Sequence, residues 1–176
     1  VNRQYLAPTR HTGDQRDAAA FQMLAALLGG SAQTSVFERQ LTYDEGISLV
    51  TWAGYSGTGL DNGTFSLGIM PAPGVTLQTA EDAIDRVLAE FIEAGVDTEQ
   101  LDRVRMQIRA EAIYQQDNTE SRARTIGADL TVGLTIAESE AWIDVLQSVT
   151  PEEILNAARA LDRRSSVTGW LMGEDA

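Results

Sequence analysis

The sequence predicts an α+β fold, and three observations carry that expectation. Two neighbouring segments, 47–55 and 64–69, alternate apolar and polar residues with the period-two pattern of strands. Elsewhere apolar residues recur at helical spacing. Asp97, Thr135 and Thr150 each stand three residues before a Gln or Glu, the arrangement in which a side chain and a backbone N–H cap each other at a helix start.

Taken in order, Tyr5 falls in a first short strand. From Asp14 to Leu28 the residues Ala18, Phe21, Leu24, Ala25 and Leu28 draw a first amphipathic helix, stopped at Gly29-Gly30, where a positive φ costs little. Val36, Phe37, Gln40 and Leu41 predict a short second helix ending near Asp44. Gly46 then switches the period: Ile47, Leu49, Thr51, Ala53 and Tyr55 form one side of a strand, and Phe65, Leu67 and Ile69 one side of the next. Gly57, Gly59 and Asp61-Asn62-Gly63 supply the turn of an antiparallel hairpin. Pro71 to Gly74 ends it. Leu77, Ala80, Ile84, Val87, Leu88 and Phe91 make a helical stripe closed by Gly95. Asp97 with Gln100 opens a long helix through Leu101, Val104, Ile108 and Ala112, and Thr135 with Glu138 opens another. Thr150 with Glu153 opens a third, whose Pro151 sits at the first helical position, where a missing N–H is no loss. Val167, Gly169 and Leu171 alternate with Thr168, Trp170 and Met172 in a final strand.

The chain has 176 residues, enough for one domain that buries roughly 70% of the surface an unfolded chain exposes. No linker, repeat or low-complexity tract divides it, so a single domain over 1–176 is expected. No apolar run approaches the roughly 20 residues a bilayer requires, so no membrane partner is expected. Acidic residues number 26 against 13 basic ones, all Arg, and a net charge of -13 repels phosphate backbones. Nucleic acid is therefore not an expected partner. The absence of Cys excludes disulfides, thiolate metal sites and thiol nucleophiles.

The chemistry-bearing residues are sparse. His11 is the only histidine, so no two imidazoles can share a zinc ion, and a histidine near a mobile chain end is its expected role. Leu28 to Ser35 is glycine-rich but follows a helix and lacks the Gly-Lys-Ser/Thr ending of a phosphate loop. Asp44-Glu45 reads as a solvated pair at a helix end, and Asp61-Asn62 as turn residues without the alternate ligands of a calcium loop. Glu81, Asp82, Asp85, Glu90 and Glu93 mark a solvated helix face. Met23, Met70, Met106 and Met172 read as core gap-fillers.

An ordered series of segments resembles the C-terminal half of insulinase-family subunits, the family of pitrilysin and mitochondrial processing peptidase. Arg3-Gln4-Tyr5 with Pro8 resembles its entry, Asp17 to Gly30 its first helix, and Thr34-Ser35 to Leu41 the next. Tyr43-Asp44-Glu45-Gly46-Ile47 resembles its turn into a strand. Pro73-Gly74, Gly95-Val96, Gln100 to Arg103 and Ser121-Arg122-Ala123 follow in the family's order. Val149-Thr150-Pro151-Glu152-Glu153-Ile154 with Ala157-Ala158 resembles its closing helix, and Val167-Thr168-Gly169 its last strand.

This resemblance implies a mostly antiparallel sheet packed by helices, the LuxS and processing-peptidase type of metallopeptidase half-subunit. It implies no catalytic and no metal residue in this chain, with zinc carried on an H-x-x-E-H motif in an N-terminal half. Alone, the chain is expected to cleave nothing. The family's substrate clamp is an Arg followed seven residues later by a Tyr, and in the register set by Glu45-Gly46 those positions hold Thr42 and Leu49. Neither side chain can place a guanidinium or a phenol hydroxyl on a substrate carbonyl, so no substrate-binding residue is expected, as in the zinc-bearing subunit of a paired bacterial enzyme. The implied partners are the zinc-bearing half, a homologous partner subunit and a peptide substrate. Related bacterial proteins occur in the periplasm and the cytoplasm. A scaffold subunit without protease activity and an unrelated α+β interaction module are the alternatives.

Overall fold

The computed structural model describes residues 1–30, 34–116 and 118–173; Ser31 to Gln33 of the glycine-rich stretch lie outside them. Strand β1 (Asn2–Ala7) leads into helix α1 (Gln15–Gly29), a π-helical segment (Glu38–Asp44), and the hairpin strands β2 (Ser48–Ser56) and β3 (Gly63–Pro71). Helices α2 (Leu77–Ala94), α3 (Thr98–Gln116), α4 (Thr119–Thr131), α5 (Ile136–Ser148) and α6 (Pro151–Arg159) follow. A 3₁₀ turn at Arg163–Ser165 then feeds strand β4 (Ser166–Gly169).

The strands form one sheet in the order β2-β3-β1-β4, antiparallel throughout, so the chain's two terminal strands pair with each other. The expected α+β architecture is the one observed. Along β1 the inward residues Arg3, Tyr5 and Ala7 alternate with exposed neighbours, and β3 turns Phe65, Leu67 and Ile69 to the same side. Helices α1, α2 and α6 cover that side, adding Leu24 and Leu28 from α1 and Ile84 and Val87 from α2 to one buried cluster. Phe21 of α1 stacks on Tyr55 at 5.7 Å and meets Phe65 at 5.9 Å. Helices α3, α4 and α5 form a second tier, packed on α1 and on one another and touching the sheet little. No described helix is long and apolar enough to cross a membrane.

Capping chemistry placed the helix starts well. Thr135 with Glu138 and Thr150 with Glu153 each form both halves of a capping box. Asp97 forms only one half, accepting from Glu99 and Gln100 N–H. The Gln100 side chain is instead buried and donates to the Leu27 and Thr34 carbonyls, tying α3 to the end of α1.

Several expectations are corrected. Gly30 has φ −78, so no positive φ ends α1; a Cβ at Gly29 would lie 2.1 Å from the Ala53 amide nitrogen, and close packing is what requires glycine there. After Val36 the second helix widens to π geometry, with Glu45 N–H bonded five residues back to Gln40. A bulge between Ser48 and Val50 breaks the period of β2, so Ser48 turns inward and Leu49 is 54% exposed. Helix α4 was not expected: its only buried residue is Asp129, so it has no apolar stripe to read. Strand β4 ends at Gly169, opposite Asn2, so Trp170 to Met172 lie outside the sheet. Of the methionines only Met23 is buried; Met70, Met106 and Met172 are exposed.

Candidate functional site

Thr42 and Leu49 flank the corner where the π-helical segment hands the chain to the edge strand β2, without meeting each other. Gly46, at φ 65, makes the turn between them. The Thr42 hydroxyl shares a 2.6 Å hydrogen bond with Ser48, the residue the bulge turns inward, while Leu49 is pushed out. Ile47 fixes the corner, donating to Leu41 and accepting from Ala72. Glu45 is not merely solvated: Arg86 of α2 donates to both its oxygens at 2.8 and 2.7 Å. Donating to the Glu45 carboxylate raises the Arg86 pKa. This exposed pair orients the turn and adds little stability. The corner thus offers a hydroxyl that shares its bond with Ser48 and an exposed aliphatic side chain.

A second constellation lies under β1. Arg3 is 0% exposed, and its guanidinium donates to Glu81 at 2.6 Å, to both Asp85 oxygens, and to Thr168 of β4 at 3.0 Å. Arg163 reaches the same carboxylates at 3.1 and 2.9 Å, and the Trp170 indole donates to Glu81 at 2.8 Å. Burial pushes the Glu81 carboxyl up, but hydrogen bonds from Arg3 and Trp170 outweigh it and hold its pKa below the ordinary value. Burial likewise disfavours the charged Arg3, and bonds to Asp85, Tyr5 and Glu81 more than restore it. The solvated face expected for α2 is therefore wrong at Glu81, which is 5% exposed, and at Asp85. A signal was present: Arg3 stands in the inward register of β1, and Glu81 and Asp85 share a helix face with Ile84 and Leu88.

A third cluster anchors the second tier. Arg10 donates to Asp129 of α4 at 3.0 Å and to the Glu138 carbonyl of α5 at 3.0 Å, and lies 4.1 Å from the Trp142 ring centre. His11 is exposed, with its ring packed against Gly133 in the turn between α4 and α5. Among the described residues no group of three or more His, Cys, Asp or Glu could hold a metal ion. The donor set does not fit a zinc centre.

The family profile that matches is the peptidase M16 inactive domain, over residues 3–108. The chain belongs to the peptidase M16 family. It corresponds to the inactive C-terminal half, as the resemblance to the insulinase and pitrilysin group implied. No curated protein matches it. Solved structures share the M16 fold at low identity. A Helicobacter pylori protease superposes with TM-score 0.83 at 15% identity over 94% of this chain and 38% of its own. A Bordetella pertussis Tohama I protein, named as a candidate zinc protease, gives 0.82 at 16% identity over 98% and 93%. Pitrilysin gives 0.66 at 10% identity over 94% of this chain and 18% of its own. The inactive domain thus fills most of one solved chain and a minor part of two others.

Proposed function

We propose that residues 1–176 form a single domain acting as the non-catalytic half of a zinc metalloendopeptidase subunit, shaping the peptide-degrading chamber and its interfaces. The match to the M16 inactive domain carries this reading. In this reading the zinc and the general base would belong to an N-terminal half, and the metal would supply Lewis-acid chemistry there. Thr42 and Leu49 leave the substrate clamp to a homologous partner subunit. This chain contributes packing, alignment and a wall against bulk water.

Reconstitution tests the proposal. The chain is assayed for peptide cleavage and zinc content alone, with its zinc-bearing half, and with a homologous subunit added. Cleavage that appears only in the zinc-bearing assembly is expected. Zinc bound without cleavage in every combination would favour a scaffold, and cleavage by this chain alone would overturn the proposal.

A further inference from the structure

The chain has four asparagines, and only Asn62 precedes a glycine; Asn2, Asn118 and Asn156 precede Arg3, Thr119 and Ala157. A side chain on the following residue shields its amide nitrogen from the asparagine carboxamide, and glycine has none. Packing requires the glycine at 63, since a Cβ there would lie 1.9 Å from the Ser56 carbonyl oxygen. The close approach that builds the hairpin therefore leaves the Gly63 nitrogen unshielded beside an exposed Asn62. The other three asparagines are held in regular structure: Asn2 in β1, Asn118 as the cap that accepts from Ser121 N–H at the start of α4, and Asn156 within α6.

Two contacts act on Asn62 and Gly63. Val1 and Ile69 exchange both main-chain hydrogen bonds, so the alternation of an antiparallel ladder makes Ala7 and Gly63 a hydrogen-bonded pair as well, the last between β1 and β3. That pairing occupies the Gly63 N–H until the ladder end frays. The Thr12 hydroxyl donates to Asn62 Oδ1 at 3.2 Å, and its own oxygen is fixed by the Thr9 N–H at 2.9 Å. Negative charge gathers on Oδ1 when a nucleophile adds to Cγ, so this donor assists the addition.

We propose that Asn62 is a self-modification site that deamidates through a cyclic imide when the pair between Ala7 and Gly63 opens. The Gly63 nitrogen gives its proton to solvent and bonds to Asn62 Cγ. The Cγ–Nδ2 bond breaks, and Nδ2 takes a proton from solvent and leaves as ammonia. Water then opens the imide. Opening at Cγ gives an aspartate on an unaltered main chain; opening at the main-chain carbonyl gives isoaspartate, with one more carbon in the main chain before Gly63. Nothing is oxidised or reduced, and water is the only co-reactant. Either product sets a second carboxylate beside Asp61 on a chain of net charge -13. The inserted carbon also displaces Gly63 from Ala7, because the hairpin tip is tied to the loop before α1 from Thr9 to Gly59 and from Arg10 to Gly57.

The test ages the purified chain in mildly alkaline buffer, folded and in urea, and reads each asparagine by peptide mass spectrometry with fragmentation that separates aspartate from isoaspartate. A gain of one dalton confined to Asn62 is expected, roughly 10- to 100-fold slower in the folded chain than in urea. Asn62→Gln, which would need a six-membered ring, should not age. Thr12→Val, with its fold checked by circular dichroism, should slow the folded reaction about threefold or more and leave the reaction in urea unchanged. Faster ageing of folded Thr12→Val would make the hydroxyl a restraint and overturn its assistance. Equal rates folded and in urea would overturn the gate at the ladder end. Modification of Asn2, Asn118 or Asn156 ahead of Asn62, or a folded Asn62 left intact after roughly a thousand half-times of the reaction in urea, would overturn the site itself.

Discussion

At Arg3 a fully buried guanidinium meets Glu81 and Asp85, while Arg163 and Trp170 close the shell from the other chain end. Removing one partner of such a pair leaves an uncompensated charge out of water, which typically costs about 3–5 kcal/mol. Arg3→Met is therefore expected to destabilise the chain at neutral pH by an amount at the lower end of that range, since Arg163 remains. Its pH dependence is the sharper readout. The Glu81 pKa in the folded chain lies below its ordinary 4.5. Its contribution to stability is thus fully present above about pH 4.5 and is lost as pH falls through the folded value. In Arg3→Met burial is no longer outweighed to the same extent, so this acid-linked loss should shrink. Melting temperatures from pH 7 to 3 check it: a steeper acid fall in the unmodified chain is expected, and parallel curves would refute the role assigned to Arg3.

Helix starts were the most legible elements because each is set by local side-chain geometry. The Thr150 hydroxyl accepts from Glu153 N–H at 3.3 Å and the Glu153 carboxylate accepts from Thr150 N–H at 2.7 Å, as the spacing predicts. Arg16 of α1 adds bonds at 2.6 and 2.9 Å, so the same carboxylate joins α6 to α1. Hydrogen bonding to Arg16, then to Thr150, outweighs burial and draws the Glu153 pKa down to about 2. Thr150→Ala should lower the unfolding free energy by about 1 kcal/mol, read as a shifted urea midpoint with unchanged slope. An unmoved midpoint would mean that the cap adds nothing. Non-local features were not legible. The bulge that extrudes Leu49 depends on how β2 meets β3, and Gly29 is required by Ala53, a neighbour distant in sequence. The Thr42–Ser48 hydroxyl bond was hidden for the same reason, since the bulge is what turns Ser48 inward.

Over the whole molecule, burial divides the chain into a body and an outer tier. The sheet with α1, α2 and α6 holds most of the buried cluster, whereas α4 buries only Asp129 and α5 only Leu146. The absence of an apolar stripe hid α4 in the sequence, and it leaves the tier dependent on a few polar anchors. Arg10 is chief among them, since its Asp129 and Glu138 bonds and its contact with Trp142 bind α4 and α5 to the loop before α1. Regions with few buried apolar contacts open at a fraction of the global unfolding free energy. Amides of α4 are therefore expected to exchange with solvent well before those of β3, whose Phe65, Leu67 and Ile69 are fully buried. Arg10→Leu should speed exchange in α4 and α5 while leaving β3 unchanged, because it cuts the anchor without touching the sheet's inner face. Hydrogen exchange read by mass spectrometry decides the matter. Equal protection of α4 and β3 would show the two tiers opening as one unit, and acceleration in β3 as well would place Arg10 in the body's own stability.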